Sequence, residues 1–372
     1  MQNSKPAVTV AGHICLDITP AFPSKTVSKI EDLIKPGGVT LVGGAVVHVG
    51  GCVANTGLAL EFFGAEVNLI AKVGSDEFGV ITQSQVSQKN TTSLVVSEDE
   101  SSSYTVVISP AGFDRFFIHH PGANDSFGFD DIDFETVGNS SLFHLGYPPL
   151  LRKLYQNDGE ELVRILKTAK QLGVITSLDM VSTEPGSEAA SADWEKIMQR
   201  ALPYVDFFVP SACEIAALAD SHRYREWLAR ATGGDIESTL SIEDDIAPLA
   251  EKLLGWGAGA VLIKCGEKGL YLATSAAPAA DQKGFDIGGW ANVRHHEQCY
   301  KPDRILSATG AGDTSIAAFL YSMLLGCPWQ KCLQYAAAAG AMCVTSYDSL
   351  SGLLSIEELN KKIAAGWAKL HY

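Results

Sequence analysis

The chain has 372 residues, 46% hydrophobic and 19% charged, a balance that supports a folded core and excludes a disordered chain. Acidic residues outnumber basic ones 43 to 28, and the net charge of −15 argues against nucleic acid or an anionic membrane as the main partner. The apolar runs, residues 336–344 among the longest, fall short of the roughly 20 residues that span a bilayer. No secretory signal is legible, so a cytoplasmic protein is expected.

In chain order, residues 7–12 read as a first strand, 54–63 as a helix and 66–73 as the next strand. Further strands are expected at 141–145, 174–178, 206–209 and 260–264, with helices at 160–172, 194–202, 214–219 and 246–254 between them. Such alternation predicts a parallel sheet covered by helices on both faces. The last third is helical, at 312–325, 330–344 and 356–370. Two segments break the pattern. Residues 17–50 hold no convincing helix and are rich in Gly, Pro and Thr, and 103–108 with 115–120 read as an antiparallel hairpin. Together they suggest a small β excursion over a cleft. Residues 97–103, 183–192 and 276–281 read as loops.

Eight cysteines are scattered without a Cys-x-x-Cys pair, as expected of buried thiols in a reducing compartment. His119–His120 and His295–His296 are neighbours that point apart on a strand and make poor metal chelates.

The strongest motif is Ala308-Thr309-Gly310-Ala311-Gly312-Asp313-Thr314-Ser315, which opens a helix. Its small residues present bare N–H groups beside the positive end of the helix dipole, an anion site without a basic side chain. Taken alone, Asp313 there is as readily a helix N-cap. A carboxylate beside a phosphate cradle is, however, what a kinase needs to take the proton of an attacking hydroxyl. Gly50-Gly51 lead into a helix with Asn55 one turn in, suited to close approach of a polar ligand. Gly74-Ser75-Asp76-Glu77-Phe78-Gly79 reads as a structural turn. Lys264-Cys265-Gly266-Glu267-Lys268-Gly269 ends a strand, where open α/β sheets bind ligands; a plain hairpin is the alternative. No Walker A motif occurs, and no Gly-x-Gly-x-x-Gly follows the first strand, which disfavours a dinucleotide-dependent oxidoreductase. The Asp313 motif argues against a non-catalytic binding protein.

In this order the motifs resemble those of the ribokinase-like, PfkB-type carbohydrate kinases: Gly50-Gly51 with Asn55, then Gly64, then Gly74-x-Asp76-x-x-Gly79, and last Thr309 to Thr314. The resemblance implies an α/β, ribokinase-like three-layer sandwich around a mostly parallel sheet, with a small β-lid. It implies one catalytic domain over residues 1–372, the lid coming from insertions at about 17–50 and 98–120. It implies ATP and Mg²⁺, and transfer of the γ-phosphate to a hydroxyl of a small unphosphorylated sugar or polyol. A nucleoside kinase or a sugar-phosphate kinase on the same scaffold is the alternative. A homodimer through the lid is a further implication.

By the same resemblance, Asp313 is the catalytic base, and Gly310, Ala311 and Gly312 form its anion hole. Asp17, Gly50, Gly51, Asn55 and His120 bind the substrate. Lys264, Gly266, Gly269 and Thr309 bind the nucleotide, and Glu214 orders the metal through water. Three positions depart from the family pattern. Ser211 stands for the Asn of Asn-x-x-Glu, and Ser307 for an aspartate that helps bind a monovalent cation. Cys52 stands where some sugar kinases carry a basic residue. In the hairpin, Phe113, Phe116, Phe117 and Ile118 offer apolar cover for a ring, and Arg115 is the nearest basic residue.

Overall fold

The computed structural model describes residues 5–22, 35–86, 92–110, 116–278 and 288–371. Arg115, Phe113, the tip of the expected hairpin, residues 23–34 of the 17–50 segment and residues 279–281 of the third loop lie outside them.

Thirteen strands are seen among the described residues: β1 (Ala7–Gly12), β2 (Cys15–Pro20), β3 (Ala45–Gly50), β4 (Glu66–Gly74), β5 (Thr92–Ser97), β6 (Tyr104–Ile108), β7 (Phe116–His120), β8 (Leu142–Gly146), β9 (Ile175–Asp179), β10 (Phe207–Phe208), β11 (Ala260–Lys264), β12 (Leu270–Thr274) and β13 (Arg294–Glu297). Nine form one sheet in the order β13-β12-β11-β10-β9-β8-β1-β4-β5. The run from β5 through β11 is parallel, and β12 and β13 add an antiparallel edge. The other four form a separate small sheet, β3-β2-β6-β7.

The large sheet is buried on both faces, and its side chains alternate between two cores. Val8, Val10, Leu69, Leu262 and Leu272 face one core, Ala11, Ile70, Val261, Ile263 and Tyr271 the other. The first core is closed by the helices Gly51–Phe63, Ala311–Leu324 and Trp329–Cys343. The second is closed by Glu160–Gln171, Trp194–Ala201, Ala212–Ala219 and Ala247–Gly255. The Ala311–Leu324 helix is apolar nearly all round, with eleven buried residues, as expected of a helix sunk between sheet and neighbours rather than lying on a surface.

The expected strands and most helices are present within a few residues. The Ile356 helix ends at Ala364, not at 370. Gly366 turns the chain at φ 87°, Trp367 Nε1 donates to the Lys301 carbonyl, and Lys369 bridges Tyr300, so the tail joins the sheet side. Strands β2 and β3 lie in the segment read only as glycine-rich, the helix Glu77–Val86 has no apolar stripe to mark it, and the helix Ser221–Ala231, with its stripe Tyr224, Trp227, Leu228 and Ala231, was missed. The eight cysteines are free thiols, five buried and three partly exposed. No helix among the described residues is long and apolar enough to cross a membrane.

Candidate active site

Helix Ala311–Leu324 starts at Gly310, whose φ of 76° is left-handed. A Cβ there would lie 2.5 Å from Ser349 Cβ, so only glycine fits both the dihedral and the space. Gly310 is thus the helix N-cap, and it makes no side-chain cap bond. Amides of the first helical turn have no partner within the helix and point outward with the positive dipole end. Asp313 therefore sits inside the helix and is not its cap. Its carboxylate turns toward the Gly51–Phe63 helix.

Three donors hold that carboxylate. Tyr147 Oη donates at 2.7 Å, Asn55 Nδ2 at 3.0 Å and Thr56 Oγ1 at 3.3 Å. Ser349 Oγ in turn donates to Asn55 Oδ1 at 3.1 Å and fixes that amide. Asp313 is 4% exposed, and burial raises its pKa against the opposing pull of Lys264 and the three donors. A carboxylate whose pKa is raised above the ordinary range is a stronger base, and so better matched to proton abstraction, than an ordinary aspartate.

Lys264 ends β11 and donates to Asp179 Oδ1 at 2.8 Å. Burial alone would lower the Lys264 pKa, but Asp179 and Glu214 overcome it and keep the ammonium charged. Burial pushes Asp179 up to about 7 despite Lys264, with Glu214 and Asp313 adding to the rise. The Lys264 amine also lies 3.5 Å from where a Cβ on Gly312 would sit, so it reaches the anion-binding turn. One lysine thus answers three carboxylates, and Asp179 Oδ2 is buried without a partner. A divalent cation with its water shell fits this excess of carboxylate. Glu214 and Ser211 form a reciprocal capping box on their helix, so Glu214 is held where its charge reaches Asp179 and Lys264.

On the small sheet, Asp17 Oδ1 accepts from the Cys15 thiol at 3.3 Å, and His48 Nε2 lies 3.9 Å from Oδ2. Burial raises the Asp17 pKa, offset in part by Cys15, His48 and Thr105. A Cβ at Gly50 would strike the Asp17 carboxylate, and one at Gly51 would lie 2.6 Å from His13 Nδ1. The two glycines are therefore the room in which these side chains stand.

The structure brings Asp313, Asn55, Lys264 and the Gly310–Gly312 turn together, with Glu214 behind them. Thr309 donates its N–H to Ser307 Oγ at 3.1 Å, which orders the loop before the turn. Gly266 and Gly269 lie apart from this group, in a hairpin turn closed by the Cys265 N–H on the Gly269 carbonyl. The Glu237 carboxylate packs over Gly266 and the Glu297 carbonyl over Gly269. His120 turns to Ser101 Oγ at 2.8 Å, and it is His119 whose ring lies 5.3 Å from His13. Sequence reasoning missed Tyr147, Thr56, Asp179, His13 and His119. Tyr147, Asp179 and His13 all lie just past or at the carboxyl ends of β8, β9 and β1, where a parallel sheet places its ligands, and that rule alone would have flagged them.

A profile of the pfkB family carbohydrate kinases matches residues 12–355. An uncharacterized sugar kinase of Archaeoglobus fulgidus is 24% identical over 303 residues, covering 80% of this chain and 98% of that one. The 5-dehydro-2-deoxygluconokinase of Bacillus subtilis is 21% identical over 325 residues, 86% of this chain and 87% of that one. Among solved structures, Arabidopsis thaliana ribokinase complexed with ribose and ATP superposes with a TM-score of 0.69 at 20% identity, covering 96% of this chain and 98% of that one. The nine-stranded sheet with its separate small sheet is therefore the ribokinase-like fold, and with a family match that takes in Asp17, the Gly50 turn, Lys264 and Asp313 alike, the chain belongs to the pfkB family of carbohydrate kinases.

Proposed function

We propose that the protein transfers the γ-phosphoryl group of ATP to a hydroxyl of a small unphosphorylated sugar or polyol. The observation that carries this reading is the Asp313 carboxylate, buried in the first turn of an anion-binding helix and aligned by Tyr147, Asn55 and Thr56. In the reaction the acceptor O–H gives its proton to Asp313 as its oxygen bonds to the γ-phosphorus. The bond from that phosphorus to the bridging oxygen breaks, and ADP leaves with the electron pair. Amides of the Gly310–Gly312 turn and the Lys264 ammonium face the charge that develops on the phosphoryl oxygens. Glu214 and Asp179 would hold Mg²⁺ through water, and the ion when bound offsets the charge of the polyphosphate. On the acceptor side, Asp17, Gly50, Gly51 and Asn55 line the approach to Asp313. Gly266 and Gly269 would serve the nucleotide only if Glu237 gives way, and His120 acts through the small sheet rather than on the acceptor.

The chain acts as one catalytic domain, with the four-stranded sheet as its lid. Exposed Val46, Val47 and Ile118 on that sheet support a homodimer in which two lids pair. Eight unpaired thiols support a reducing, cytoplasmic location. The test is an ADP-release assay with Mg²⁺, ATP and D-ribose, D-fructose, adenosine or fructose 6-phosphate. Highest kcat/KM with a neutral sugar is expected. A tenfold preference for adenosine or for the sugar phosphate would replace this reading with a nucleoside or sugar-phosphate kinase.

A further inference from the structure

Buried polar atoms in folded proteins nearly always have partners, so a group of them without any calls for an explanation. Among the described residues, eight buried side-chain N or O atoms lack a partner, and four of these are ring nitrogens of His13, His48 and His119. The strand register brings two of these histidines into line. His48 on β3 stands opposite Asp17 on β2, Asp17 opposite Thr105 on β6, and Thr105 opposite His119 on β7. Directly opposed residues share a face, so one polar row crosses the whole small sheet. His119 Nδ1 is hydrogen-bonded to Thr105 Oγ1 at 3.0 Å, which leaves Nε2 free. His13 comes from the body, in the connection between β1 and β2. Its ring lies 5.3 Å from that of His119 and 6.0 Å from that of Tyr147, whose hydroxyl is on Asp313. The row and the catalytic carboxylate therefore border one another through His13.

We propose that His48, Asp17, Thr105 and His119, closed from the body side by His13, form the surface that selects the acceptor, and that its ligand is a neutral compound with adjacent hydroxyls. This rests on the kinase reading above. Burial holds His13 far below the usual histidine range and His119 at about 4, so both rings are neutral near pH 7. A neutral imidazole offers one N–H and one lone pair, and a hydroxyl both donates and accepts, so neighbouring hydroxyls satisfy both kinds of orphan nitrogen. Asp17 accepts a further hydroxyl. A phosphate or carboxylate would instead meet the Asp17 charge with no Lys or Arg in the row to answer it.

The experiment compares the wild type with His119→Phe and His48→Phe, which keep a ring and remove its nitrogens, and with His119→Gln, which restores a polar group. Binding of D-ribose, D-fructose, myo-inositol and fructose 6-phosphate is read by calorimetry, turnover by ADP release, and ATP affinity and melting temperature as controls. For the best neutral ligand, Kd and KM rise tenfold or more in each Phe variant, kcat and ATP affinity stay within about threefold, and His119→Gln recovers part of the loss. Turnover of a sugar with unchanged Kd and KM in both Phe variants overturns the row and leaves the kinase reading intact. A sugar that binds, loses binding in the variants, and is never phosphorylated sinks the kinase reading and leaves the row standing. Preference for fructose 6-phosphate, or no binding of any neutral member, overturns the ligand assignment.

Discussion

Two polar regions meet at Asp313, and they are built in opposite ways. Beneath it, Lys264 with Asp179 and Glu214 forms an ionic cluster on strand ends and a helix of the body, with one Asp179 oxygen left without a partner. Above it, His48, Thr105, His119 and His13 carry four nitrogens with no partner, mostly on a separate small sheet. An ionic floor suits a step common to all substrates, because its field is in place before any ligand arrives. An unsaturated row suits discrimination, because its unmet bonds reward only a ligand that completes them. Chemistry and selectivity are thus divided between two sheets.

The comparison breaks first at the base. Asp313→Asn should lower kcat roughly 10²–10⁴-fold. ATP affinity should hold, since the turn amides remain. Retention of a tenth of wild-type kcat would take Asp313 out of the base role. Next in size is Lys264→Met, which strands the fully buried Asp179 and should cost about 3–5 kcal/mol in denaturant unfolding. His119→Phe, measured alongside, should cost far less, and equal losses would erase the distinction between floor and row.

Asp17→Ala should raise acceptor KM by the worth of a charge-assisted bond, about 1.5–3 kcal/mol, with a smaller change for ATP. A normal acceptor KM would exclude Asp17 from binding. Tyr147→Phe sharpens the view of the junction. Asp313 works only when ionised, so kcat/KM falls as pH drops through its pKa. Burial raises that pKa and the Tyr147 hydrogen bond opposes the rise. Losing the hydroxyl must move the acid limb to higher pH; a shift to lower pH, or none, would mean the Tyr147 bond does not set the base. The smallest effect is expected for monovalent cations. Ser307 uses its hydroxyl on the Thr309 N–H and offers no carboxylate, so exchanging sodium for potassium should alter the rate less than about twofold. A many-fold activation would contradict that.

Much of the fold was legible. Strands 7–12, 66–74 and 260–264 are dominated by apolar, largely β-branched residues, and the Gly310 turn announces its helix by composition. Strand β2 was not, because Cys-Leu-Asp-Ile-Thr-Pro is short, mixed and ends in proline. Within the site, Asp313 and Asn55 were found because the glycine turns before them make local motifs, whereas Asp17 came from the family resemblance. His120 was carried over from the family resemblance at the lid's return to the body; in the structure it meets Ser101, and it is His119 that stands beside His13.

By itself the sequence determined the alternating α/β body, the glycine turns and the acid placed in one of them, since each depends on neighbours within a few residues. Only the tertiary structure decided which distant groups share a site. Asp179 and Lys264 are 85 residues apart, and Asn55 and Asp313 are 258 apart. The row from His48 to His119 exists only when four strands adopt one register. Register is a property of strand pairing set by the packed face as a whole, and no single segment encodes it.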